Sequence, residues 1–157
     1  MASTTFSGPV TSTNGFIGAL TGNVTGNVTG NVAGTGKITH ATTAAINATA
    51  TATAAEVATG YITSTSAAAT AITLPTGTLL GAALGAVQGT VFDLYVDNTA
   101  GASTVTMAVA VNGILSSGAA DTPGSFGDLT IAAGATGIAR FTLMFASATA
   151  YTFSRTA

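Results

Sequence analysis

The sequence predicts a mainly β protein: an extended N-terminal arm and a glycine-rich trimeric stalk, then a small antiparallel β-sandwich or barrel with one short helix. Three observations lead there. Residues 21–36 read TGNVTGNVTGNVAGTG, a four-residue unit written three times before it decays. From Gly60 onward, short alternating apolar and polar runs recur between turn-forming clusters. Charged residues make up only 5% of the chain, against roughly 25% in typical soluble domains. The domain plan is an arm at 1–15, a stalk at 16–36, an Ala/Thr-rich connector at 37–53 and a β domain at 54–157.

The arm is polar, with turn dipeptides at Gly8-Pro9 and Asn14-Gly15. Its large apolar side chains Phe6 and Val10 are candidate docking residues. A frayed end with one incidental Phe is the other reading. In the stalk, Phe16, Leu20, Val24, Val28 and Val32 fall on one four-residue register, with Gly18, Gly22, Gly26, Gly30 and Gly34 two positions ahead of each. A period of four matches neither the 3.6 of a helix nor the two of a half-buried strand. In an extended chain it puts glycine and the apolar residue on one face, with a valine about every 13 Å at a rise of ~3.3 Å per residue. One such ribbon cannot keep water from its valines. Several copies about a common axis can, with glycine allowing close backbone approach, and three is the expected number. A flexible Gly/Thr linker is the alternative.

The connector, KITHATTAAINATATAT, mixes strand-like alternation with helix-favouring alanine. Thr53 and Glu56 then form a capping-box pattern, with Gly60 as the stop, predicting a helical turn over 54–59. GYITSTS and ATAITLP are short alternating runs around a small-residue turn at 66–69, the second ending at Pro75. Residues 76–87 have apolar residues at helical spacing, interrupted by Gly81 and Gly85, so either one short helix or two irregular turns is expected. VFDLYVDNT is the clearest strand: Phe92, Leu94 and Val96 face inward, and Asp93, Tyr95 and Asp97 face outward. Val105, Met107, Val109 and Val111 share a face that ends at Asn112-Gly113, a hairpin turn dipeptide. A polar loop over 116–127, a short strand with Leu129 and Ile131, and the runs IARFTLMFAS and AYTFSR complete the chain. The expected core is Ile72, Leu74, Phe92, Leu94, Val96, Val105, Met107, Val109, Leu129, Ile131, Phe141, Leu143, Phe145 and Phe153.

Candidate chemistry is sparse. The lone histidine, His40, lies in the low-complexity connector and reads as a surface residue, or one stacked on its symmetry mates, rather than as a base beside a nucleophile. Asp93 and Asp97 read as solvated, with Asn98 beside them as a remote calcium option. Asp121 and Asp128 read as turn caps, and Arg140 and Arg155 as partners for an aspartate or a chain terminus. No cysteine is present, which excludes disulfides and thiolate metal sites. No GxxxxGK[ST] occurs, so phosphate binding has no support. A net charge of −2 provides no basic face for nucleic acid. The N-terminus lacks the pattern of a signal peptide, and no run of 18 apolar residues would cross a membrane. The NVT and NAT sequons at Asn23, Asn27 and Asn47 therefore read as repeat and turn residues. The expectation is no enzyme, no cofactor, no metal, no nucleic acid and no membrane.

SGPVTSTNGF followed by TGNVTGNVTGNV and an Ala/Thr tract resembles the N-terminal region of head-decoration (cement) and head-fibre proteins of tailed bacteriophages. AAEVATGYITSTSAAATAITLPTG, TVFDLYVDNTAGASTVTMA and TIAAGATGIARFTL with AYTFSR look like the β-rich module of such virion proteins. TGNV repeats also occur in phage tail fibres and other trimeric stalks. The resemblance covers nearly the whole chain. It implies a homotrimer on the outer capsid surface, with the major capsid protein as partner and Phe6 and Val10 in a capsid-docking arm. It carries no catalytic residues. The alternative is a tail fibre or receptor-binding fibre, a class that exposes aromatics for stacking, for which Tyr61, Tyr95 and Tyr151 are the candidates. A secreted or surface-layer filament is a third reading, disfavoured by the missing signal peptide.

Overall fold

The computed structural model describes His40, residues 42–115 and residues 129–156, which belong to one compact unit, Ile38–Ala157. The arm and stalk residues Phe6, Val10, Phe16, Leu20, Val24, Val28 and Val32 lie outside the described residues, as do Asp121 and Asp128.

The chain winds in coils. Strands β1 (Ala44–Ala45) and β2 (Ala50–Thr51), β3 (Tyr61–Thr63) and β4 (Thr70–Thr73), and β5 (Val91–Asp97) and β6 (Val105–Ala108) make three successive coils. In each coil the first strand joins a larger sheet and the second a smaller one, and equivalent strands pair in parallel. The returns between coils carry helices α1 (Ala54–Ala58) and α2 (Gly77–Leu84), which pack on each other. Strands β7 (Gly113–Leu115), β8 (Thr130–Ile131), β9 (Ile138–Ser147) and β10 (Ala150–Arg155) then finish the two sheets. The six-stranded sheet runs β1-β3-β5-β9-β10-β7 and the four-stranded one β2-β4-β6-β8. The pairs β5–β9, β9–β10 and β6–β8 are antiparallel, whereas β7 and β10 are parallel.

The β-rich expectation holds, but an antiparallel sandwich or closed barrel does not describe the molecule: both sheets are mixed and open. The runs on either side of residues 66–69 are not a hairpin, because β3 and β4 belong to different sheets. Asn112-Gly113 turns the chain, with Asn112 at φ 64°, yet it leads to a parallel pairing of β7 with β10. The reason is common to both errors. Alternation along a strand tells which side is buried, but not which strand lies beside it. Among the described residues there are also two α-helices rather than one. The Thr53–Glu56 capping box forms as expected, with Glu56 Oε2 accepting from Thr53 N at 2.7 Å. The interrupted segment makes α2, whose C-cap Gly85 is left-handed at φ 59°.

The Ala/Thr tract takes part in this stack. Residues at the bends of successive coils sit one above another at strand spacing, about 4.8 Å, so small side chains suit them. Asn47 Oδ1 accepts from Thr65 N, Thr49 Oγ1 from Ala71 N, and the Ser66 carbonyl from Ala102 N, each bond linking one coil to the next. Register aligns residues in rows across coils: Ala44, Ile62, Val96 and Ala139, all buried, in the larger sheet, and exposed Ala50 with buried Ile72 and Met107 in the smaller. Phe141, Leu143 and Phe145 from β9 and Tyr151 and Phe153 from β10 complete one core with Val57 of α1 and Leu80 of α2. Phe92, Val109 and Leu129 pack on its margin, whereas Val111, expected on the same face as Val105, Met107 and Val109, is exposed beyond the end of β6. Arg155 reaches across the rim to the Thr130 carbonyl in β8, tying the two sheets together.

Candidate functional site: the outer face of the larger sheet

Strand alternation that sends Leu94 and Val96 inward sends Asp93, Tyr95 and Asp97 outward. Register then assembles a surface from three strands. Tyr61, Tyr95 and Arg140 form one row across β3, β5 and β9. Thr63, Asp97 and Ile138 form the row on one side, and Asp93 with Thr142 the row on the other. The five charged side chains among the described residues are Glu56, Asp93, Asp97, Arg140 and Arg155. Three of them stand on this face.

The rows are cross-linked. Arg140 Nη2 donates to Asp93 Oδ2 at 2.8 Å, and Thr142 Oγ1 donates to Asp93 Oδ1 at 2.7 Å. Tyr61 Oη donates to Asp97 Oδ2 at 2.7 Å. Asp97 Oδ1 accepts from the hydroxyl and the backbone N–H of Thr99. The hydrogen bonds from Thr99 and then from Tyr61 hold the Asp97 carboxyl below the usual carboxylate range. The same hydrogen bond to Asp97, with desolvation, raises the Tyr61 phenol above its ordinary value.

His40 belongs to this face within a single chain, without symmetry mates. Its ring lies 6.0 Å from the Tyr61 ring and 5.7 Å from the Tyr95 ring, both tilted. Its Nδ1 donates to the Thr59 carbonyl at 2.8 Å; a carbonyl oxygen only accepts, so Nδ1 carries the proton. Gly60, left-handed at φ 74° at the end of α1, makes room for the ring: a Cβ there would lie 2.5 Å from His40 Cε1. Beside Tyr95 and Arg140 lies a shallow hollow of about 260 Å³, with Ile138 as its apolar wall. Ile138 is 50% exposed.

Tyr151, the third candidate aromatic, is not on this face. It is fully buried, donates to the Pro75 carbonyl at 3.0 Å and packs against Phe145. Asn98 is also buried, and its amide donates to the carbonyls of Ser103, Ile131 and Ala132. It therefore braces the loop after β5 and cannot join Asp93 and Asp97 around a cation. Among the described residues no three His, Cys, Asp or Glu side chains gather as a metal site. Nor is any described helix long and apolar enough to cross a membrane.

A second feature lies at the first coil. β1 and β2 are the edge strands of their sheets, on the same side of the coil stack. Where later coils carry Ile62, Val96, Ile72 and Met107, this coil carries Ala44 and Ala50. A hollow of about 340 Å³ lies at this coil, bordered by Ala45, Ile46, Ala50, Thr51 and Glu56.

Sequence reasoning placed Asp93, Tyr95 and Asp97 together on the outward face of one strand, and singled out Tyr61 and Arg140 without making them their neighbours. It missed Thr142, Ile138 and the seating of His40. Outward parity in IARFTLMFAS was the available signal for Arg140 and Thr142; nothing in the sequence places His40. Comparison with protein-family models, with curated proteins and with solved structures finds no match for this chain.

Proposed function

We propose that the chain is a non-enzymatic structural protein of a virus particle, a homotrimeric capsid decoration (cement) protein or short head fibre. It binds the outer face of the capsid through its N-terminal arm and stabilises the shell. The observation that carries the reading is the coil stack whose first coil, formed within the connector that follows the four-residue repeat in sequence, has unpaired edges among the described residues. An edge strand presents free N–H and C=O groups that a neighbouring chain can pair with. Low charge supports the same reading, since a surface kept soluble by hydroxyls and amides suits a protein covered by copies of itself or by a larger assembly.

A tail fibre or receptor-binding fibre is the second reading, favoured by the Tyr61–Tyr95 pair with His40 over it. Two measurements test the role. Light scattering on the purified chain should give about 45 kDa, three times 15.0 kDa, and Val24→Asp with Val28→Asp should reduce it to the monomer, because carboxylates buried about one axis cannot all stay charged cheaply. Gold-labelled antibody on virus particles encoding the chain should mark the head. Label at the tail would select the second reading, and unlabelled particles would overturn both.

A further inference from the structure

We infer that the outer face of the larger sheet is a binding site for a neutral saccharide, seated on Tyr95 and Ile138 and held by Arg140. The inference rests on the receptor-facing reading and names its ligand.

The argument starts from what remains free. Tyr95 Oη makes no hydrogen bond with the described residues, and the Arg140 guanidinium uses one nitrogen, Nη2, on Asp93. Donors thus remain beside a partly buried aromatic ring that lines the hollow and beside the exposed apolar wall of Ile138. Asp93 and Asp97 flank the row; both Asp93 oxygens and Asp97 Oδ2 accept one bond each and keep a lone pair, whereas Asp97 Oδ1 is filled by the two bonds from Thr99. A pyranose has the matching chemistry. Its C–H face lies on an aromatic or branched aliphatic surface, and its rim hydroxyls both donate and accept.

Charge narrows the choice further. One guanidinium set among two carboxylates, already paired with one of them, leaves no net positive field for a phosphate, a sulfate or an acidic sugar. A cation would compete with Arg140 for Asp93 and meets no third carboxylate. A hollow of about 260 Å³ suits one sugar ring rather than an extended peptide groove. The face is also prepared in advance. Tyr61 is pinned by Asp97, Arg140 by Asp93, and His40 by the Thr59 carbonyl, so little side-chain freedom is left to lose on binding.

The test is an amide chemical-shift titration of the full-length chain with methyl glycosides of glucose, galactose and N-acetylglucosamine, with methyl glucuronoside as the acidic arm. At least one neutral glycoside should bind in the millimolar range, with shifts confined to β3, β5 and β9. Arg140→Gln should weaken binding about tenfold, the worth of a hydrogen bond to a charged group. Tyr95→Ala should abolish it, and Tyr95→Phe should retain most of it while guarding against a folding defect. Thr152→Ala, on β10 of the same sheet, should change nothing. The proposal fails if no neutral glycoside shifts these strands, if only the glucuronoside binds, or if the shifts map elsewhere. It also fails if Tyr95→Ala splits the oligomer without any glycoside binding, which would make the face a contact between chains. Gold labelling places the protein on the particle independently, so a failed ligand and a failed role give different results.

Discussion

Tyr151 shows how a single side chain divides its roles. Its ring fills the core beside Phe145, and its hydroxyl satisfies the Pro75 carbonyl 76 residues earlier in the chain. Burial pushes the phenol up to about 12, so its contribution to stability is intact below the unfolded value near pH 10 and is lost as pH rises through the folded one. Tyr151→Phe should cost about 1 kcal/mol at neutral pH, as one hydrogen bond lost. The variant should also unfold less steeply than the parent on raising the pH beyond about 10, as thermal melts across that range would show. Asp97 behaves in the opposite sense. Thr99 and Tyr61 stabilise its carboxylate and lower its pKa, so its stabilising effect is present above about pH 4 and vanishes as pH falls through the lowered value. Urea midpoints of the parent and Asp97→Asn should therefore differ at neutral pH and converge in acid.

Helix α2 is governed by its neighbours more than by its own propensity. Gly77 and Gly81, four residues apart, share the face that meets the β9–β10 turn, where a Cβ on either would run into the backbone oxygens of Thr149 and Ala148. Alanine at an ordinary helical position stabilises by about 1 kcal/mol over glycine. Here the sign should reverse: Gly81→Ala should destabilise by about 1–3 kcal/mol, the range for overfilling a packed contact. A raised melting temperature for that variant would refute the seating of α2 on the turn. Helix α1 follows the sequence more directly, because its capping box is local and Val57 alone has to find the core.

At the scale of the molecule, stability comes from coils stacked in register, each relying on the next for its backbone partners. Such a stack has ends, and the chain treats them differently. One sheet continues past the third coil through β9, β10 and β7, and the other through β8. The first coil keeps its edges and an alanine-lined hollow. The first-coil edges proposed for assembly and the outer face proposed for recognition are different surfaces. Loss of trimer mass in the Val24→Asp, Val28→Asp variant should therefore leave the neutral-glycoside titration unchanged.

Much of this was legible in the chain itself. The capping box at Thr53, the inward sets Leu94–Val96 and Phe141–Leu143–Phe145, and the outward Asp93, Tyr95 and Asp97 follow from patterns spanning a few residues. They are determined locally, by the alternation of a strand and the orphan N–H groups of a helix start. Only the tertiary structure decided that β3 pairs with β5 rather than β4, that His40 lies over Tyr61 and Tyr95, and that Tyr151 is inside. Pairing and stacking join residues far apart in sequence. Their energies depend on which surfaces meet, and no short window of the chain contains both.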